Sequence, residues 1–273
     1  MGTARRGLSG AGTQTAGLGF GGYGPPGNGE RTSTEKYDGS TWTASGNMGT
    51  GRFQLAGAGT QTAGLGFGGY GVPKHALTES FNGSTWSPGG NLNTGRQGLA
   101  GCGTQTAALG FGGYTPGLAE RTSTEKYNGS TWTTSGNLGT ARYVLAGCGT
   151  QTAGLAFGGG AVITGATEEF NGSTWTAGGT MNTGRSQLAG CGTQTAALAF
   201  GGITPTRTAV TESYDGTSWI TTTSLSTAKN ILAGGGTNTA GLAFGGLTAP
   251  TTDSATTEEF TGAVLTTKTI TTS

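Results

Sequence analysis

The sequence predicts an all-β fold, a six-bladed β-propeller with four antiparallel strands per blade, on three observations. Four landmark residues recur six times along the 273 residues at nearly fixed spacing. All changes in repeat length fall in one segment of the repeat. An Asx-Gly dipeptide between β-prone residues marks the same turn in five copies. A repeat of 43–47 residues carrying four short strands has the size of one propeller blade.

The landmarks are a basic residue (Arg5, Arg52, Arg96, Arg142, Arg185, Lys229), the second glycine of a doublet (Gly22, Gly69, Gly113, Gly159, Gly202, Gly246), a Glu (Glu35, Glu79, Glu125, Glu168, Glu212, Glu258) and a Trp (Trp42, Trp86, Trp132, Trp175, Trp219, with Leu265 in the sixth copy). Base to glycine is 17 positions in every copy, Glu to Trp is 7, and Trp to the next base is 10. Glycine to Glu runs 13, 10, 12, 9, 10 and 12. A single propeller domain over 1–273 follows, with blades near 1–48, 49–92, 93–138, 139–181, 182–225 and 226–273.

Within a blade the elements follow in order. Gln54–Ala58 reads as strand a, whose small residues suit strands converging on an axis. Ala63–Phe67 reads as strand b, Thr34–Tyr37 as strand c, and Thr41–Trp42 opens strand d. Asp38-Gly39, Asn82-Gly83, Asn128-Gly129, Asn171-Gly172 and Asp215-Gly216 predict type I′ c–d turns. Alternation then places the variable b–c loops and the d–a loops on one face. Both chain ends fall on that face, at the blade 6–blade 1 boundary. No additional strand is available for exchange between first and last blades, so packing is expected to close the ring. Blades 1 and 3 nearly repeat one another at Glu30–Tyr37 and Glu120–Tyr127, a two-blade super-repeat.

Composition excludes several functions. Fifty-nine glycines would suit a disordered chain, but only 10% of residues are charged and aromatics recur in register, which argues for packing. A net charge of +1 carries no footprint for nucleic acid. No apolar run spans a bilayer, and residues 1–6 lead into the repeat without a secretory leader.

The glycine doublet, the aromatic of strand c (Tyr37) and the downstream Trp42 resemble the kelch repeat over nearly the whole chain. The interval from Tyr37 to Trp42 is shorter than in that family, which predicts a tighter c–d hairpin. Shortened, glycine-rich copies of this kind are similar to those of bacteriophage and environmental bacterial proteins, tail-associated ones included. The resemblance implies recognition through b–c and d–a loops and a virion-associated or extracellular location.

Residues present in every blade are expected to be architectural, and residues confined to one blade are free to serve function. The basic ring is therefore read as structural, each base tying strand a to a neighbouring loop or to the strand-c Glu. Gln14, Gln61, Gln105, Gln151, Gln194 and Asn238 are read as turn residues ringing the channel mouth on the a–b face. Cys102, Cys148 and Cys191 replace small residues of strand a and read as buried free thiols. The Asn-Gly-Ser sequons coincide with the turns. Catalysis, a metal and a cofactor are not expected: His75 is the one histidine, and a copper site like that of the kelch-containing galactose oxidases needs more. The candidate ligand-binding residues are those of the variable loops: Tyr23, Glu30, Arg31, Tyr70, Lys74, His75, Tyr114, Glu120, Arg121 and Arg207. A non-catalytic propeller that binds a protein or glycan, as in a phage tail or adhesin, is the leading expectation. A ligand-free assembly propeller is the alternative, and a kelch-type enzyme a remote one.

Overall fold

A computed structural model of the chain describes residues 1–71, 76–115, 117, 119–249, 251–262 and 264–268. Six four-stranded antiparallel sheets, each in the order a–b–c–d, stand in a ring: the protein is a six-bladed β-propeller. In blade 1 the strands are Ser9–Thr13, Ala16–Phe20, Thr34–Tyr37 and Trp42–Ser45. Strand a begins later than the sequence predicts. In blade 2 it is Ala56–Gly59, because Gln54 adopts a left-handed conformation at φ 53° that no strand accepts.

The six a strands touch one another in a closed cycle around the axis. Their alternating glycines make this approach possible. A Cβ on Gly57 would stand 2.9 Å from the Gly10 carbonyl oxygen, and one on Gly10 would stand 2.7 Å from that of Gly234. Outward from the axis, neighbouring blades interlock through aromatics. The Phe67 and Trp132 rings meet at 4.7 Å, and the Trp132 indole N–H donates to Thr78 Oγ1 of the preceding blade at 2.9 Å. The same bond joins Trp42 to Thr257, Trp86 to Thr34, Trp175 to Thr124 and Trp219 to Thr167.

The super-repeat is visible in this packing. Trp42, Trp132 and Trp219 of the odd blades are buried beside a strand-c Tyr, while Trp86 and Trp175 of the even blades sit beside a Phe and are only half-buried.

The c–d turns differ from the type I′ prediction. Only the glycines (φ 93–95°) are left-handed, whereas a type I′ turn requires both central residues to be. The Asx instead pairs across the hairpin, Asp38 N–H to the Thr41 carbonyl, and its carboxylate accepts the N–H groups of Ser40 and Thr41 at 2.8 and 2.7 Å. That side-chain cap holds the Asx at ordinary φ and displaces the glycine to the first central position. Tyr37 and Trp42 are directly paired, joined by these four residues.

Among the described residues, closure uses no exchanged strand. Met1 is buried at the linker position taken elsewhere by Met48, Leu92, Leu138, Met181 and Leu225. Its amine donates to the Ala255 carbonyl of blade 6 at 2.8 Å, as the Met48 N–H does to Thr32. The last described strand pairs Lys268 with Thr257, so its end also lies on the b–c face.

A second device closes the ring through the backbone alone. Gly7, Gln54, Gly98, Val144, Gln187 and Ile231 all have φ between 47° and 60°. Each N–H donates to the carbonyl of its counterpart in the preceding blade, and Gly7 N–H completes the cycle on Ile231 at 2.8 Å. A circular belt of six backbone hydrogen bonds thus rims the b–c mouth of the channel. Holding β-branched Val144 and Ile231 left-handed is costly, and the belt supplies the opposing bonds.

The glutamines also depart from expectation. Gln61 Nε2 donates to the Gly17 and Tyr37 carbonyls of blade 1, at 3.1 and 2.6 Å. Gln14, Gln105, Gln151 and Gln194 repeat this clamp on the blade before them. These side chains lie between blades, not at the channel mouth, because a carbonyl of the neighbouring b strand and one of the c strand are both in reach.

Candidate functional site

The repeated charges form the frame of the b–c face. Each buried base reaches the strand-c Glu of its own blade, at 2.6–3.1 Å for the five arginines and 2.7 Å for Lys229. Arg52 also donates to the Gly68 and Leu77 carbonyls at 2.8 and 2.7 Å, tying the two ends of its b–c loop. The second Glu oxygen accepts a backbone N–H from the d–a linker, as Glu79 does from Gly49 at 2.6 Å. Burial lowers the arginine pKa values, Arg5 to about 10, against the opposing pull of its Glu35 partner. The guanidiniums stay charged at neutral pH, so each ion pair anchors one b–c loop and one linker.

Inside this frame two small cavities lie on the axis. The outer one, about 90 Å³, is lined by the left-handed belt and by Leu8, Leu55, Leu99, Leu145, Leu188 and Leu232. The inner one, about 120 Å³, is lined by the same leucines and the strand-a glycines. No titratable side chain lines either.

Around the mouth, the residue after each base pairs with the residue after each glycine doublet. Arg6 bridges to Tyr23, Phe53 to Tyr70, Gln97 to Tyr114, Ser186 to Ile203 and Asn230 to Leu247. In blade 4 the Gly160 N–H bonds the Tyr143 carbonyl. The pairing places five half-buried rings in an arc over blades 1 to 4. Phe53 stands 5.6 Å from Tyr23 and 5.1 Å from Tyr70, and Tyr114 stands 5.8 Å from Tyr143. The Arg6 guanidinium covers the Tyr23 ring at 4.6 Å and pairs with Asp253 of blade 6 at 2.7 Å.

Tyr23, Tyr70 and Tyr114 are therefore brought together, with Phe53 and Tyr143 added. Those two were legible in principle: the position after the base varies from blade to blade inside an otherwise constant stretch. The charged candidates behave differently. Arg31 donates to the Gly24 and Pro26 carbonyls of its own loop, Arg121 to Thr115 Oγ1 at 3.1 Å, and Arg207 to Asn230 Oδ1 at 2.8 Å. They brace the loops, four of which, among the described residues, form short hairpins such as Tyr23–Gly24 with Gly29–Glu30. Glu30 is exposed, and Glu120 accepts the Ala161 N–H of blade 4. Lys74 and His75 lie outside the described residues.

The cysteines are buried and unpaired by disulfides. Each thiol faces a Thr carbonyl of the next blade, Cys148 to Thr193 at 3.4 Å. Burial pushes the thiols of Cys102 and Cys191 up to about 12 and that of Cys148 well above its ordinary value. The folded chain thus keeps protons that the unfolded chain releases above about pH 8.5. Stability from this source is full below that pH and declines as pH rises from about 9 towards 12, by up to ~1.4 kcal/mol per pH unit per thiol. We expect no reaction with a thiol-specific disulfide reagent at about pH 8 in the native state and reaction at all three sites in concentrated guanidinium. Replacing the three by Ala should flatten the alkaline fall in melting temperature. Stoichiometric labelling of native protein would refute the assignment.

Among the described residues no group of three or more His, Cys, Asp or Glu gathers to hold a metal. The class defined by fold and face is the six-bladed β-propeller with an aromatic-rimmed b–c face. No family model and no curated protein matches the chain.

Proposed function

We propose that the protein is a non-catalytic, kelch-like binding propeller that takes a neutral, polyhydroxylated ligand, a cell-surface glycan, on its b–c face. The observation that carries this reading is the arc of Tyr23, Phe53, Tyr70, Tyr114 and Tyr143, each only half-buried, around a mouth that has no free charge cluster among the described residues. Half-exposed aromatic faces offer apolar area at low entropic cost and suit the C–H faces of sugar rings. The rigid frame below, with its ion-paired loop ends, supports a preorganised surface. A place in a virion tail or adhesin agrees with this chemistry and with the kelch-like repeat.

Glycan-array and cell-binding measurements test the reading. Phe53→Ala with Tyr143→Ala should weaken binding about tenfold, from roughly 0.5–1.5 kcal/mol per lost ring contact. Equal binding by this double variant and by a variant with the blade 1–3 loops cut to blade 4 length would remove the b–c face from consideration.

A further inference from the structure

We propose that the b–c side carries two related subsites, on blades 1 and 3, built on a shared triad, which take successive repeats of one linear polysaccharide. This rests on the reading that the face binds glycan, and it names the ligand's form. Two crevices of similar size, about 340 and 320 Å³, open in these blades, the first against strands c and d and residues Gly2 and Thr3, the second beside the end of the b–c loop at Glu120–Ser123. Both volumes fall at the lower end of the usual ligand-cavity range of about 300–1,000 Å³.

The two crevices share a triad in identical register. Thr3, Ser33 and Asn47 line the first, and Thr94, Ser123 and Asn137 line the second. The Thr lies two residues before the base, the Ser two before the Glu, and the Asn one before the buried linker residue. The Ser position is the informative one. Blades 2, 4 and 5 place Leu77, Ala166 and Val210 there, so the fold accepts an apolar residue at this point. Ser123 Oγ is nevertheless buried without a hydrogen-bond partner, a hydroxyl held ready at the crevice wall.

Hydroxyl and amide groups both donate and accept, and the triad has no net charge. That is the complement of sugar hydroxyls rather than of phosphate or carboxylate. The second crevice is flanked by Glu120 and Arg121, whose own bonds to Ala161 N–H and Thr115 hold them in place. Between the two subsites lie Phe53 and Tyr70 of blade 2, the middle of the aromatic arc. One chain crossing blades 1 to 3 would meet triad, rings and triad in turn. Engagement of the second triad is then intramolecular, at an effective concentration on the order of millimolar.

The test uses the full chain and a panel of neutral linear polysaccharides, a dextran, a β-glucan and a galactomannan, with size-fractionated oligomers of each, measured by calorimetry. The expected result is a step in affinity of about 100-fold or more at the oligomer length that first spans both subsites. Ser33→Ala and Ser123→Ala install the residue that blade 4 already carries as Ala166, and each should remove the step and lower the stoichiometry of short-oligomer binding from two to one. Melting temperatures will report that these variants fold. Absence of a length step, or a step that survives Ser33→Ala with Ser123→Ala and Asn137→Ala, overturns the two-subsite proposal. If Phe53→Ala still weakens binding in that case, the glycan-binding face stands without it. Failure of the parent chain to bind any panel member overturns both.

Discussion

Glu212→Ala is expected to destabilise the propeller by about 3–5 kcal/mol, the usual result of removing one partner from a buried ion pair. Glu212 and Arg185 are both fully buried, with 3.0 Å between Nη2 and Oε1. Glu212 also accepts the Asn182 and Thr183 N–H groups at 2.8 and 3.3 Å. The substitution leaves a guanidinium uncompensated and two linker amides without an acceptor. For a domain of this size the melting temperature should fall by roughly 5–15 °C. Glu212→Gln keeps an acceptor oxygen and should cost less than Ala. Adding Arg185→Met should not restore stability, because the Asn182 and Thr183 amides would still lack their acceptor. Thermal melts of the three variants check this order. A double variant as stable as the parent would mean that the pair, and not the linker tether, carries the cost.

The tether also explains why so much of the fold was legible in sequence. Base, Glu and linker amide must meet at hydrogen-bond distance in every blade, so insertions anywhere but the b–c loop would break the triangle. Constant spacing of Arg185, Glu212 and Trp219 with their counterparts is the written trace of that geometry. The belt left no such trace, since a left-handed backbone is normally signalled by Gly or Asn, and Val144 and Ile231 hide it. Gln61 was misplaced for another reason: its local context is a turn, while its partners lie in the previous blade. Within the proposed site, Tyr23, Tyr70 and Tyr114 were reached as candidates through loop-length variation. Phe53 and Tyr143 were missed because they vary in type at constant length. Arg31 and Arg121 looked free because a loop's hydrogen bonds to itself are invisible in a one-dimensional pattern, and Arg207 because its partner Asn230 lies in the next blade.

Trp132→Ala is expected to cost about 3–5 kcal/mol, the range for truncating a buried large aromatic. The indole is 4% exposed, packs on Phe67 and Tyr127, and satisfies Thr78 of blade 2. Trp132→Phe should cost less but still leave the Thr78 hydroxyl unpaired. The sixth blade displays that defect naturally. A leucine such as Leu265 has no side-chain donor, and Thr211 Oγ1 of blade 5 is buried without a partner. Asn238 likewise gives blade 5 no counterpart of the glutamine clamp among the described residues. Lys229 lies 2.7 Å from Glu258 Oε1, yet its hydrogen bond goes to Thr256 Oγ1, a point charge doing less than a fork. The junction of the chain ends is tied by Met1, Gln14, Trp42, the Tyr37–Glu259 bond at 2.7 Å and the Arg6–Asp253 pair. Blade 5 to blade 6 keeps the Arg207–Asn230 and Asn230–Gln187 bonds but, among the described residues, shows neither the Trp–Thr bond nor the glutamine clamp, and we expect this seam to open first. Leu265→Trp should raise stability by about 1 kcal/mol through one new hydrogen bond, opposite in sign to Trp132→Ala. Hydrogen exchange should show the blade 6 amides opening first in the parent chain and later in Leu265→Trp. First opening at the blade 6–blade 1 junction would show that the missing Trp is not what limits the ring.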